Sequence, residues 1–297
     1  MNMLSNKTKK ERQLISYFLF CPLLLLFTFG LYPICALIEY SFTSWNGLSP
    51  TKDYVGLSNY IKIFTDPTYI KVFLNSVIYF VSGIIQIIIA LFFAIMLSGK
   101  VRGKNFFKAT FVFPCLISGM AVAMLFKVFF TPGGSFDSLL TFLGLEDHIR
   151  YWLGDPRIVN TTLGAISIWK NTGKSFILYF GAISCVPLEH YRLAEIEGAS
   201  SWQKIRYIIL PGIQIVLKIN FMLLTIGALS AFELPLILTN GANGTTTFLL
   251  QTMKAAFEKK QYGMAASMAV IVSLVIITIT TIQNKWHKGE EDDEDMA

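Results

Sequence analysis

The stretch SYFLFCPLLLLFTFGLYPICALI, residues 16–38, carries no charged side chain. A helix crosses the hydrocarbon core of a bilayer, about 30 Å thick, with roughly 20 predominantly apolar residues. The stretch is longer than the apolar region of a usual signal peptide, and no small-residue cleavage pattern ends it. We therefore expect it to stay in the protein as a membrane-spanning helix.

Similar apolar segments recur along the chain and predict about six transmembrane helices. They lie at approximately residues 14–38, 70–98, 109–130, 158–184, 212–239 and 264–283. Because lipid offers no hydrogen bonds to the backbone, spans of this kind are helical, which predicts an all-α integral membrane protein. Residues 1–13 are then an N-terminal tail, residues 14–284 one transmembrane domain, and residues 285–297 an acidic tail that we expect to be solvated and disordered.

The composition of the whole chain agrees with a membrane protein. Of its 297 residues, 54% are hydrophobic and 15% are charged, and the mean hydropathy is +0.55. A soluble domain carries about 25% charged residues, so cytosolic and secreted domains are poor interpretations. The net charge of +6 is dispersed between apolar segments, which argues against nucleic acid as a partner.

Lysine and arginine in short loops predict the orientation, because positive residues are retained on the cytoplasmic side. With both termini cytoplasmic, the inside residues are Lys7, Lys9, Lys10, Arg12, Lys100, Arg102, Lys104, Lys108, Arg192, Lys204, Arg206, Lys285 and Lys288. The outside residues are Lys52, Lys62, Lys71, Arg150, Arg157, Lys254, Lys259 and Lys260. The longer outside loops hold fewer positive residues, so both termini are predicted to be cytoplasmic.

One predicted cytoplasmic loop, residues 185–211, is long, charged and internally organised. Apolar spacing predicts a short amphipathic helix over residues 188–196. Gly198 is typical of a left-handed helix stop, and Ser200 followed by Gln203 predicts a capping box for a second helix through Ile209. Two short helices at a glycine corner would form a compact protrusion.

This loop resembles the coupling loop of permease subunits in binding-protein-dependent importers driven by ATP-binding cassettes. The family pattern is Glu-Ala-Ala, three residues, Gly, about nine residues, then Ile-x-Leu-Pro. It corresponds here to Arg192-Leu193-Ala194, Gly198-Ala199-Ser200 and Ile208-Ile209-Leu210-Pro211. The resemblance implies that the loop docks on the ATP-hydrolysing subunit through Glu189, Arg192, Ala194, Glu197, Gly198, Ala199, Leu210 and Pro211.

Further motifs extend the resemblance, in colinear order, to the carbohydrate branch of the family, the maltose and glycerol-phosphate type permeases. They are SFTSWNG (41–47), VGLSNYIKIFTDP (55–67), FVFPCLIS (111–118), TPGGSFDSLL (131–140), WLGDP (152–156), Trp169-Lys170, AFELPLILTNGANGTTT (231–247) and YGMAASMA (262–269). The implied substrate is a sugar or oligosaccharide, with glycerol-phosphate or another anionic sugar derivative as the alternative.

The chain departs from the family pattern where Arg192 replaces the usual Glu. This reverses a charge in the docking helix and leaves two interpretations open. Arg192 pairs locally with Glu189 or Glu195, or it meets a compensating acidic residue on the ATPase. An exposed pair on a helix contributes only about 0.2–0.5 kcal/mol, so the sequence does not decide.

The chain lacks the phosphate-binding G-x-x-x-x-G-K-[ST] loop, so ATP and Mg²⁺ are expected on partner subunits and no cofactor on this chain. The resemblance implies a second homologous permease, two ATP-binding subunits, an extracytoplasmic solute-binding protein and the lipid bilayer as partners. The alternatives are a membrane enzyme, and a pore or receptor without ATP coupling. The three histidines are loop or tail residues far apart in sequence, so neither a catalytic nor a metal site is predicted.

Polar and aromatic residues in the fourth and fifth spans are candidates for the solute pathway, because polar groups in lipid are costly. These candidates are Gly173, Lys174, Phe176, Tyr179, Asn220, Ser230, Phe232 and Glu233. For the aromatic residues, ordinary helix packing is an equal alternative. For Lys174 we favour an interhelical pair with Glu233, and the alternative is that it attracts an anionic solute.

Overall fold

The computed structural model describes residues 9–99 and 101–294, so Lys7, Lys100 and the outermost residues of both tails lie outside it. Within the described residues every regular element is a helix, and one antiparallel bridge joins Thr43 to Tyr54. The predicted all-α class is confirmed.

Four helical segments of the described chain are long and apolar enough to cross a membrane: Tyr17–Ser41, Pro67–Ser98, Gln214–Thr239 and Tyr262–Lys285. A fifth candidate, Lys104–Leu116 followed by Gly119–Phe129, bends by 96°. The remaining predicted span is the 27-residue helix Val159–Cys185, about 40 Å long at 1.5 Å per residue. Two lysines lie near its middle, and it is not among the strongly apolar helices. The structure thus has four to five strongly apolar spans and one long helix of mixed polarity.

The described residues divide into two compact units. The first comprises the described residues up to Thr65 together with Thr252–Ile271. Its first helices are α1 (Lys9–Leu26), α2 (Tyr32–Ser41) and α3 (Ser58–Thr65), with a π-helical turn at Phe27–Leu31.

Three sequence motifs of this first unit pack on one another. The Asn59 side-chain amide donates to the backbone oxygens of Ser41, at 3.1 Å, and Thr43, at 2.8 Å. The Ser267 hydroxyl donates to the same Ser41 oxygen at 2.7 Å. At Gly263 a side chain would collide with the Thr43 carbonyl oxygen, so only glycine fits. The motifs SFTSWNG, VGLSNYIKIFTDP and YGMAASMA therefore form one hydrogen-bonded cluster.

The second unit comprises Asp66–Gln251 and the described residues from Val272. Its helices are α4 (Pro67–Leu74), α5 (Ser76–Ser98), α6 (Lys104–Leu116), α7 (Gly119–Phe129), α8 (Ser135–Phe142), α9 (Val159–Cys185), α10 (Leu188–Ile196), α11 (Ser201–Lys204), α12 (Leu210–Gly212), α13 (Gln214–Leu229) and α14 (Glu233–Thr239). Shorter turns are a 3₁₀ helix at Glu146–His148 and a π-helix at Ile205–Ile209. α15 (Phe248–Met253) and α16 (Tyr262–Glu294) have residues in both units, with a π-helical turn at Lys254–Glu258 between them.

The core of the second unit lies along α5 and α9. One cluster contains Tyr79 and Leu163, and another contains Leu97 and Phe176. Gly164 lies against Ser82, where an added Cβ would stand 2.5 Å from the serine hydroxyl. Small residues at such contacts let helix backbones approach closely in lipid.

A sharp break separates α6 from α7. Pro114 lies inside α6, and Ile117 is extended, with φ −76° and ψ 137°. The Ser118 hydroxyl then caps α7 by accepting from the Ala121 amide at 3.2 Å. A proline inside a helix commonly causes a kink, and here the chain breaks into two helices at 96°.

The acidic tail differs from its prediction. α16 continues to Glu294, so the tail backbone is helical as far as it is described, whereas the composition predicts disorder. A helix started by the apolar part of α16 extends at low cost, because only nucleation is expensive.

Candidate functional sites

The first helix of the 185–211 loop occurs where the sequence predicts it. α10 covers Leu188–Ile196, and Gly198 adopts φ +74°. The Ala199 amide donates to the Ala194 oxygen at 2.8 Å, and the Gly198 amide to the Glu195 oxygen at 3.2 Å. This pair of bonds is the Schellman arrangement, which needs a left-handed residue and therefore favours glycine.

The second helix of the loop also begins as predicted, because Ser200 and Gln203 form a capping box. Beyond α11 the helix widens into the π-helical turn Ile205–Ile209 before Pro211 in α12. Proline has no amide hydrogen and clashes with the carbonyl four residues earlier. The widened turn accommodates Pro211, so the helix passes the predicted end at Ile209 and ends at Gly212.

The ion pairs in the loop do not include the predicted local pair of Arg192 with Glu189 or Glu195. Glu195 pairs with Lys204 at 3.1 Å and joins α10 to α11. Arg192 is exposed and makes no ion pair with any described residue. A local Arg192 pair with Glu189 or Glu195 is therefore wrong, and a partner on another subunit stays the open prediction.

Apolar side chains of the loop point outward. Ile196 is 83% exposed and Trp202 is 65% exposed, and Leu193 is also exposed. Inward, Ala194 is buried, and Tyr191 packs on the core cluster, where burial raises the pKa of its phenol. Exposed apolar patches mark interaction surfaces. The sequence predicts the amphipathic helix, and the structure shows that Leu193 and Ile196 lie on its exposed face.

The predicted docking residues are mostly accessible. Exposed or partly exposed are Glu189, Arg192, Glu197, Gly198, Ala199, Leu210 and Pro211. Ala194 is the buried exception and holds α10 on the rest of the unit. Beneath the loop, a groove of about 420 Å³ includes His190, Tyr207 and Pro211 in its walls.

A cavity of about 480 Å³ lies between α5, α9, α13 and the start of α14. We refer to it as the polar cavity. Five of the predicted pathway residues line it: Lys174, Asn220, Ser230, Phe232 and Glu233. Lys170, Gln86 and Ser175 also line it and are not among the predicted pathway residues. Gln86 is a polar residue inside an apolar helix, which by itself indicates function or an interhelical bond.

A hydrogen-bond network joins three helices at the polar cavity. The Gln86 amide on α5 donates to the Ser175 hydroxyl on α9 at 2.6 Å. That hydroxyl donates to the Asn220 side-chain oxygen on α13 at 3.1 Å. Gln86 also reaches the Asn171 backbone oxygen at 3.2 Å. Helix register is therefore held here by polar contacts as well as by packing.

The predicted ion pair exists with a different lysine. Glu233 pairs with Lys170 at 3.1 Å, not with Lys174. The Glu233 side chain is 48% exposed and the Lys170 side chain 14% exposed. Both charged groups lie directly over Gly119, where an added Cβ would collide with them. Glu233 thus stands at the amino end of α7, which favours negative charge. One helical turn along α9 separates the two lysines, a difference that hydropathy does not resolve.

Three predicted pathway residues lie in packing contacts instead. Phe176 is 1% exposed, and its ring packs against the rings of Phe111 and Phe180. The distances between ring centroids are 5.4 Å to Phe111 and 5.8 Å to Phe180. Tyr179 is fully buried, and Gly173 lies against the α6 backbone. None of these three residues lines the polar cavity, and Phe176 lies in helix packing, the alternative given for the aromatic residues.

The Lys170–Glu233 pair predicts energetic coupling between α9 and α14. Removing one partner leaves an uncompensated charge, which costs from about 1 kcal/mol for an exposed pair to about 3 kcal/mol for a buried one. We expect Lys170→Met to lower the amount of folded protein and added Glu233→Gln to restore part of it, as measured by fluorescence-detected size-exclusion chromatography. In the matched control, Lys174→Met and Glu233→Gln should be additive. Coupling to Lys174 alone would contradict the observed pairing.

A family model described as "Binding-protein-dependent transport system inner membrane component" matches residues 63–288. A probable ABC transporter permease of Pyrococcus horikoshii is 33% identical over 284 residues, covering 93% of this chain and 97% of the relative. The multiple sugar-binding transport system permease MsmF of Streptococcus mutans is 30% identical over 277 residues, covering 92% and 95%.

Solved structures match the fold. A bacterial ABC transporter involved in import of the acidic polysaccharide alginate includes a chain with a TM-score of 0.83 at 21% identity. The match covers 94% of this chain and 96% of that one. At this identity the likeness concerns the fold.

Proposed function

Because the chain belongs to the family of binding-protein-dependent transport system inner membrane components, we propose that it is the permease subunit of an ATP-driven sugar importer. It forms half of the membrane pathway for a sugar or oligosaccharide. The observation that carries the proposal is the family match over residues 63–288, which includes both the 185–211 loop and the polar cavity. Relatives named as sugar permeases support the substrate class.

The chain is embedded in the membrane and supplies no ATP site of its own, since it has no phosphate-binding loop motif. Its proposed assembly contains a second homologous permease, two ATP-binding subunits that hold ATP and Mg²⁺, and an extracytoplasmic solute-binding protein. The chain itself has no catalytic role in this assembly. Residues 14–284 form the transmembrane domain, and both termini are cytoplasmic.

The 185–211 loop is the proposed docking element for the ATP-binding subunit. Exposed Leu193, Ile196 and Trp202 offer apolar surface, and unpaired Arg192 offers a positive charge to an acidic residue of that subunit. The hydrogen-bonded corner at Gly198 keeps the two helices at a constant angle. Motion of the ATPase would thereby pass to α9 and α13, which flank the loop and line the polar cavity.

Co-purification of the tagged chain from native membranes tests this proposal. We expect a second permease and an ATP-binding subunit with the wild type, and loss of the ATP-binding subunit alone with Ile196→Asp. The control is Phe142→Asp at the end of α8, because Phe142 is 86% exposed and lies outside the loop. Wild-type protein that is recovered without any ATP-binding subunit would contradict the assembly.

A further inference from the structure

The charges at the polar cavity leave one cation without a counter-ion among the described residues. Lys170, Lys174 and Glu233 are the charged residues in its described lining. Lys170 and Glu233 neutralise each other as an ion pair. Lys174 is exposed at the cavity and makes no hydrogen bond or ion pair with any described residue. The described lining therefore carries one net positive charge.

The same cavity offers a hydrogen-bonding group without a partner among the described residues. The hydroxyl of Tyr79, a residue of the cavity wall, is buried and has no partner in the described part of the chain. The Asn220 side chain is engaged within the fold, because its oxygen accepts from Ser175 and its amide reaches the buried Tyr179 hydroxyl. Buried polar groups without partners are uncommon in folded proteins and call for a ligand or water.

The geometry points to an anionic sugar derivative as the transported solute, with its carboxylate or phosphate on Lys174 and a hydroxyl on Tyr79. This inference rests on the proposed import function and narrows its substrate class. A cavity of about 480 Å³ lies within the usual range of ligand pockets, roughly 300–1,000 Å³. A cation in the membrane is costly unless it is paired or wet, and an anionic solute would pair it.

Lys174 can be replaced without the loss of a contact that holds the described fold together. Lys170 already neutralises Glu233, and α9 is held by the Gln86–Ser175–Asn220 network without Lys174. Removal of the Lys174 ammonium therefore breaks no described contact. A change of solute preference in a normally folded variant would report on the solute itself.

The test uses the complete transporter in proteoliposomes, with its solute-binding protein, second permease and ATP-binding subunits. Uptake is measured for a labelled neutral disaccharide, a uronic-acid disaccharide and a sugar phosphate. We expect wild type to import one of the anionic sugars, and Lys174→Met to lower that uptake about tenfold or more, as when a charge-assisted bond is lost. Lys174→Arg, which keeps the charge, should retain most of the uptake.

The outcomes separate this inference from the proposed function. Import of the neutral disaccharide alone, or equal anionic uptake by wild type and Lys174→Met, would overturn the anionic-solute assignment while sugar import stands. Absence of ATP-dependent uptake of every sugar would instead reject the import function. The two anionic substrates distinguish a carboxylate from a phosphate.

A second variant tests the contact between the solute and the Tyr79 hydroxyl. Tyr79→Phe removes only a hydroxyl that has no described partner, so the folded amount should not fall. We expect the KM of the imported sugar to rise about fivefold or more, the factor for one neutral hydrogen bond of about 1 kcal/mol. An unchanged KM would remove Tyr79 from the proposed contacts.

Discussion

Gly198→Val is expected to abolish most ATP-driven uptake while the amount of folded permease stays near that of wild type. Gly198 has φ +74°, a conformation that a β-branched residue adopts only with strain. Apart from Gly198 and its two chain neighbours, no described residue lies within 4 Å of the position that an added Cβ would take, so the change acts through the local backbone. Strain of about 1–3 kcal/mol borne by the docked loop would weaken docking about 5- to 150-fold.

A matched control exists at the end of α8. Gly144 has φ +70°, equally open surroundings and the same pair of bonds, from Gly144 to Thr141 at 3.0 Å and from Leu145 to Leu140 at 2.9 Å. Gly144→Val therefore imposes similar strain outside the loop and should leave uptake and ATPase docking unchanged. Equal losses in the two variants, or full uptake in Gly198→Val, would contradict a coupling role for the loop.

Gly173→Ala is expected to lower the folded amount of the permease. The loss should be larger than that caused by the addition of one methyl group at any other position of α9. The new Cβ would collide with the Phe111 carbonyl oxygen and approach the Val112 Cα within 3.1 Å. These are backbone atoms of α6, which no rotamer change can move aside. Overpacking of a tight core costs about 1–3 kcal/mol. The folded amount is measured by fluorescence-detected size-exclusion chromatography and by the apparent Tm in detergent.

The control for this substitution lies on the same helix. At Gly181 no described residue outside the adjoining helix backbone stands within 4 Å of an added Cβ, and alanine favours a helix over glycine by up to about 1 kcal/mol. Gly181→Ala should thus equal or exceed the wild-type folded amount. A normal folded amount in Gly173→Ala with altered solute preference would instead support the pathway role that the sequence predicts for Gly173.

Local features of the loop are predictable from sequence because a few neighbouring residues determine them. The bounds of α10, the left-handed Gly198 and the Ser200–Gln203 capping box all depend on contacts within five residues. The widened turn before Pro211 is less predictable, because a proline permits several local adjustments.

Partners across helices are harder to predict, since they depend on the rotation of each helix. A change of one turn on α9 exchanges Lys170 for Lys174 as the partner of Glu233. The same ambiguity separates Phe176, which packs on Phe111, from Phe232, which lines the polar cavity. Composition identifies these residues as unusual in a span, but only tertiary packing assigns their contacts.

ATP-driven uptake by the reconstituted assembly directly tests whether this chain is a permease subunit of a sugar importer. Proteoliposomes with this chain, its second permease, the ATP-binding subunits and the solute-binding protein are loaded with ATP or with a non-hydrolysable analogue. We expect uptake of labelled sugar only with ATP, only with the binding protein, and not with liposomes that hold this chain alone. Sugar uptake by the chain alone, or equal uptake with the analogue, would contradict the proposed role as a permease subunit of an ATP-driven importer.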